Sequence, residues 1–361
     1  MSQTMPALKN DKSAGTALDQ IKHIWVISDG TAGMRLQALA LGNALVSASK
    51  KTSKASGKKT SPILDDIIMT PPTILRWQPR LARHLPAIML EQLLQCRLAT
   101  ALNASQPSYP DLLISCGRRM AGTSIALRRL ARQAGATTRT IQIQDPRLQP
   151  DYFDILITPQ HDPARGPNVV NSMASLTGLT MQSIKSNARS LDSKWTDLSQ
   201  PCIAVLLGGT NRRYNISHKM AEDMADRLAS FAASHGVSLA LIASRRTPSG
   251  LLEKISSQLG NTSHAILQDG EANPYPGILA TVKAVIVTSD SVNMASEAAI
   301  TGKPVLIAEW QTETGRIGAF HDAMMQAGHS APLQKTLPET GFKPLREMPA
   351  ILTQTAALLM K

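Results

Sequence analysis

Aromatic residues make up 3% of the 361-residue chain, too few for a long open groove on which sugar rings stack in series, though not for a site that holds one nucleotide. Cysteine is equally scarce. Cys96, Cys116 and Cys202 are odd in number, far apart and without a C-x-x-C pair, which argues against structural disulfides and a zinc site and for small buried hydrophobes. No apolar run reaches the length of a membrane span. The first residues, MSQTMPALKNDKSAGTALDQ, lack the apolar core of a secretory signal, so a disordered N-terminus over 1–20 and a cytoplasmic location are expected. Neither G-x-x-x-x-G-K-[ST] nor G-x-G-x-x-G occurs, which excludes a Walker loop and speaks against a nicotinamide dehydrogenase or epimerase.

Charge is unbalanced, with 38 Lys and Arg against 26 Asp and Glu and a formal net +12. Five lysines fall in SASKKTSKASGKKTS, residues 47–61, which reads as a solvated, disordered loop. The loop is a candidate contact with an anionic membrane surface; without interleaved aromatics it lacks the stacking signature of a nucleic-acid binder, and no nucleic-acid partner is expected. PPTILRWQPRLARHLPAIMLEQLLQCRL (71–98) mixes apolar residues with four arginines. Two readings stay open there: a surface helix pair packed on the first sheet, or a basic amphipathic patch on an anionic membrane face.

Apolar runs of strand length alternate with helical patterns, which implies α/β layering with parallel sheets. HIWVIS (23–28), DLLIS (111–115), TRTIQIQ (138–144) and DILITP (154–159) form one series. CIAVLLGG (202–209), VSLALIAS (237–244), AILQ (265–268), KAVIVTS (283–289) and PVLIAE (304–309) form another. Between them SIKSNARSLDSKWTDLSQ is polar and reads as a linker. The expected organisation is two Rossmann-like domains facing a cleft, over 21–185 and 201–361, joined by 186–200.

Chemistry is sought at the carboxyl ends of the strands. In LLGGTNRRYN, Gly208, Gly209 and Thr210 can present backbone N–H groups to an anion, with Arg212 and Arg213 adding charge; the bland alternative is a tight turn. ASRRTP places Arg245 and Arg246 at the next strand end, for pyrophosphate or as a solvated pair. Asn273 and Tyr275 sit in a proline-fixed loop that lines a base pocket or simply turns the chain. In VTSDSVNMASEAAITGKPV, Ser291 is the expected helix cap and Glu297 leans back toward the strand end, where a carboxylate suits a ribose diol. Ser289, Asp290 and Ser291 would lie near the phosphates. The first series carries its own set: Asp29, Gly30 and Gly33 in SDGTAG, Arg118 in CGRRMAG, Asp145 in QDPR, and a His161–Asp162 pair as candidate general base.

SDGTAG with Gln37, SCGRRMAG, QDPR, PQHDP, LLGGTNRRY, SRRTP, NPYPGILA and the 287–305 stretch, in this order, resemble the mitochondrial-fission "elongated mitochondria" family and its bacterial members. That family looks like glycosyltransferases of the two-Rossmann-domain (GT-B) type. The resemblance implies that Glu297 holds a ribose and Gly208 to Thr210 a diphosphate. It also implies transfer from a nucleotide-diphospho-sugar donor to a lipid-linked or cell-envelope hydroxyl, on the inner face of the plasma membrane. Asp29, His161 or Asp162 would take the proton, with Gly30, Gly33, Arg118 and Asp145 on the acceptor side. No cofactor or metal is expected, since the D-x-D of the other major glycosyltransferase class is missing. Many relatives carry His where Met34 stands, so a base is lost there. The alternative is a non-catalytic adaptor that recruits dynamin-related partners to a membrane surface.

Overall fold

Ile24, Trp25, Val26 and Ile27 are all buried, on both faces of their strand. A strand without a wet face belongs in a parallel sheet covered by helices on two sides, and two such sheets are present. The computed structural model describes residues 18, 20–55, 61–102, 108–211, 213–247, 250–267, 273–334, 336–338 and 340–361.

The first unit holds β1 (His23–Ser28), β2 (Ile63–Ile68), β3 (Leu112–Cys116), β4 (Arg139–Ile143), β5 (Ile155–Pro159) and β6 (Val169–Ser172), all parallel, in the order β2-β1-β3-β4-β5-β6. Helix α1 (Ala32–Ala55) and the final helix, Met348–Leu359, cover one face with Leu41, Leu45, Ile351 and Ala356. The other face carries α2 (Thr73–Trp77), a 3₁₀ turn (Pro79–Arg83), α3 (Ala87–Leu102) and α4 (Arg118–Gln133), which bury Leu75, Ala82, Leu90, Leu94 and Leu127. Cys96 on α3 is exposed; Cys116 and Cys202 are buried and unbridged.

The second unit holds β7 (Cys202–Leu207), β8 (Ser238–Ala243), β9 (His264–Ile266), β10 (Ala284–Thr288), β11 (Val305–Ala308) and β12 (Ala331–Pro332). They too are parallel, in the order β9-β8-β7-β10-β11-β12, the doubly wound Rossmann order. Helices α5 (Met181–Ala188), α6 (Ser193–Thr196), α7 (His218–His235), α8 (Leu251–Leu259), α9 (Tyr275–Thr281), α10 (Val292–Ala299) and α11 (Gly315–Gln326) complete it. Leu228 of α7 and Ile255 of α8 pack on one face, Ile278 of α9, Ala298 of α10 and Phe320 of α11 on the other.

Four expectations are corrected. Residues 47–55 continue α1 as helix, because Ser49 and Ser53 are buried along it; 56–60 lie outside the described residues. Strand β2 went unseen because Asp65 and Asp66 interrupt its apolar run. His23 accounts for the first, at 2.6 Å, and Arg35 pairs with the second. The stretch 186–200 is no linker: Ile184 and Trp195 are buried in the second unit, and Thr180 closes a capping box on Ser183 at the start of α5. Units divide instead near 172–179, and residues 347–361 return to the first unit. Most of the N-terminal stretch 1–20 lies outside the described residues. Among those described, no helix is long and apolar enough to cross a membrane.

Helix α4 touches α2 backbone to backbone at Gly122, where a Cβ would stand 2.4 Å from the Leu75 carbonyl oxygen. Carbonyl oxygens cannot swing away as side chains do. Gly122→Ala is expected to cost about 2–3 kcal/mol of stability, read as a lower urea midpoint at unchanged slope.

Candidate functional site

Strand order in the second sheet reverses between β7 and β10, so the loops leaving these strands flank the natural ligand crevice. Gly208 and Gly209 follow β7; Ser289, Asp290 and Ser291 follow β10. The Asp290 side chain is fully buried. Its Oδ1 accepts from the Thr288 hydroxyl at 2.8 Å and from the Trp310 indole N–H at 3.0 Å. Its Oδ2 accepts from the Gly209 N–H at 2.8 Å and faces the Arg246 guanidinium at 3.5 Å. A charge this deep is tolerated only with its lone pairs met, and here they are.

This network corrects the expected anion cradle. Gly208 N–H donates to Thr288 Oγ1 at 2.7 Å, Gly209 N–H to Asp290, and Thr210 N–H to the Arg246 carbonyl at 3.0 Å. A Cβ on Gly208 would lie 2.2 Å from both Asp290 oxygens, and one on Gly209 1.7 Å from the Arg246 carbonyl oxygen. The glycines make room for the protein's own carboxylate and a crossing backbone. Their amides are not left open to a diphosphate. Arg212 lies outside the described residues.

Ser289 is likewise spent inside the protein. Its hydroxyl donates to Glu313, whose side chain is 2% exposed and also accepts from the Tyr214 hydroxyl. Burial, and then Glu313, push the Tyr214 hydroxyl well up. The His321 imidazole contacts the Ser289 carbonyl at 2.8 Å. Thr288, Trp310, Glu313, Tyr214 and His321 escaped the sequence reading. The one cue was that Glu313 follows a strand end by five residues, which no local motif marks.

Glu297 differs. Ser291 caps α10 as expected, accepting from the Met294 N–H at 3.4 Å. Glu297 lies on that helix, half-buried, with the Tyr275 hydroxyl beside its carboxylate. The Tyr275 hydroxyl is buried beside it without a hydrogen bond of formed geometry, its acidity suppressed by burial and by Glu297. Burial pushes the Glu297 carboxyl up to about 7, with Tyr275 pulling weakly the other way. Asn273 is exposed and caps the Tyr275 N–H at 3.0 Å, which fixes the start of α9. Arg245 is exposed and Arg246 half-exposed. Lys303, lowered to about 8 by burial, donates to the Ala280 and Val282 carbonyls and closes the end of α9.

In the first unit the reversal falls between β1 and β3. Asp29 stands there with its carboxylate 6% exposed, 2.9 Å from Arg119, and accepts from the Thr31 N–H at 3.0 Å. Met34 packs its sulfur 3.5 Å from Cys116 Sγ and would meet a Cβ on Gly117 at 3.1 Å. An apolar thioether therefore occupies this strand end beside Asp29. Burial, then the Asp29 charge, push the Cys116 thiol up, away from reactivity. Gly30 has φ 79° and is exposed, Gly33 is the second residue of α1, and Arg118 opens α4 in solvent. Asp145 accepts from the Arg147 N–H at 2.7 Å between two left-handed residues, Gln144 (φ 66°) and Arg147 (φ 61°). That strain at a strand end is typical of sites kept for function. Asp162 is buried and accepts from the Thr158 hydroxyl at 3.2 Å, so it holds its own turn; His161 beside it is half-buried.

Two stability measurements separate these acids. Asp290→Ala leaves four donors facing a void and is expected to cost about 3–5 kcal/mol, read by urea unfolding. Glu297 goes the other way. Its folded-state pKa of about 7 lies above the ordinary 4.5, so the folded form keeps a proton that the unfolded form has lost between those values. Stability therefore falls as pH rises through that window and levels off above it. Glu297→Gln carries no such penalty and is expected to be more stable than the parent at pH 8 by roughly 2–3 kcal/mol, with the gap closing below pH 4.5. An unchanged or less stable variant at pH 8 contradicts this.

The family described as Mitochondrial fission ELM1 matches residues 32–357. The mitochondrial fission protein ELM1 of Arabidopsis thaliana is 27% identical over 267 residues, a match covering 66% of this chain and 62% of that protein's length. An uncharacterized protein of Rickettsia prowazekii is 27% identical over 326 residues, covering 79% of this chain and 82% of that protein. Among solved structures, a UDP-GlcNAc 2-epimerase from Neisseria meningitidis bound to UDP-GlcNAc aligns with TM-score 0.49 and 13% identity over 88% of each chain. MurG of Acinetobacter baumannii aligns with TM-score 0.47 and 14% identity over 94% of this chain and 92% of that one. By its sequence, the chain belongs to the mitochondrial fission ELM1 family.

Proposed function

We propose that the second unit binds a nucleotide-diphospho-sugar and that the protein transfers the sugar to a hydroxyl of a lipid-linked or cell-envelope acceptor. The observation that carries this reading is Glu297. It is a half-buried carboxylate on the helix leaving the β10 strand end, raised to about 7, with a tyrosine hydroxyl beside it and, among the described residues, no cation paired with it. A ribose diol supplies the two O–H donors that such a group lacks, and two charge-assisted hydrogen bonds repay its desolvation. Arg245 and Arg246, at the neighbouring strand end, are the groups available for a diphosphate and for the charge that builds on it as the glycosidic bond breaks. The glycine amides take no part. Asp29 and His161 are the candidates to take the acceptor's proton, and the scheme requires no metal.

A non-catalytic adaptor reading is favoured by one observation: the Gly208 to Thr210 amides already serve internal acceptors. Calorimetric titration with uridine- and guanosine-diphospho-sugars separates the two. Saturable binding is expected, weakened by roughly tenfold to a hundredfold in Glu297→Ala. Absence of binding to every donor, or equal affinity in the variant, would leave the adaptor reading in place.

A further inference from the structure

Helices α2 and α3 and the 3₁₀ turn between them bury Leu75, Ala82, Leu90 and Leu94 against the first unit, several of them beside α4 residues. Their outer sides are not polar. Ile74 (40% exposed), Trp77 (62%), Leu81 (36%), Ile88 (61%) and Met89 (43%) stand in solvent. A covering helix layer ordinarily turns charged residues outward, and an exposed apolar set of this kind marks a contact surface. The same stretch holds Arg76, Arg80, Arg83 and Arg97 against a single acid, Glu91. Arg76 lies 5.6 Å from the Trp77 ring centroid, which joins the cation to the apolar surface, and Arg83 pairs with Asp151 while still half-exposed.

Apolar side chains edged by arginine, with an outward tryptophan, match the boundary between acyl chains and anionic headgroups. We propose that this layer docks the protein on an anionic bilayer, with Trp77, Leu81 and Ile88 entering the headgroup boundary and Arg76 and Arg80 meeting lipid phosphate. The lysine-rich end of α1 is not part of the surface, because α1 packs on the opposite face of the same sheet. Docking is independent of whether the second unit binds a nucleotide.

The molecule carries its own reporter. Trp25, Trp195 and Trp310 are 1%, 5% and 7% exposed, so a change in tryptophan emission on contact with lipid reports Trp77. Purified protein is mixed with phosphatidylcholine vesicles with and without phosphatidylglycerol and followed by sedimentation and emission. Expected are binding to the anionic vesicles, a blue shift, and release by salt. In Trp77→Phe the shift should vanish while binding persists. Leu81→Ser with Ile88→Ser, both surface positions, should lower partitioning on the order of tenfold, with an unchanged urea midpoint as the folding control. The proposal is overturned by failure to bind anionic vesicles, by equal binding to neutral ones, or by binding without a Trp77 response. Concentration-dependent dimerisation that shields Trp77 in place of lipid overturns it as well.

Discussion

A carboxylate wholly shielded from bulk solvent organises the second unit. Asp290 draws a hydroxyl from the end of β10, an amide from the turn after β7, an indole from the loop after β11 and a guanidinium from the loop after β8. Each donor comes from a different loop or strand end, so removing the charge from solvent is tolerable only when all of them hold position together. The pairing explains residues that otherwise look unrelated: a glycine with no room for a side chain, a threonine, a buried tryptophan and an arginine. Glu313 repeats the device one strand further on, holding Ser289 and Tyr214. The result is a stiff rim at the sheet's point of reversal.

Against that rim Glu297 is the exception. Its neighbours on α10 are small and buried, its cap is in place, and its carboxylate is nonetheless kept where ionisation is costly. A sequence tuned for stability alone would place glutamine or an apolar residue there. On the proposed reading, a ligand's hydroxyls supply the partners that make such a carboxylate worth keeping.

Much of this is legible in the amino-acid sequence itself. Strands such as Ile24–Ile27 and Val285–Val287 are unbroken apolar runs, and burial on both faces of a parallel sheet leaves that trace. The Ser291 cap and the presence of Glu297 on the helix it opens followed from helical spacing. Strand β2 was hidden because the side chains that pair with Asp65 and Asp66 come from β1 and α1, outside any local window. The glycine pair misled for a physical reason. An absent side chain declares that something comes close, but not whether that something is a ligand phosphate or the protein's own aspartate. Glu313 could be weighed only once the fold brought it against Ser289 and Tyr214.

The path of the chain has one more consequence. Because residues 347–361 rejoin the first unit, the whole second unit is spliced into the first rather than appended to it. Ile351 and Ala356 fill the α1 side of the first core. During synthesis the first sheet therefore has to wait, with that side incompletely covered, until residues 347–361 have followed the whole inserted unit, while the inserted sheet can already have closed on itself. The half made first is the half finished last.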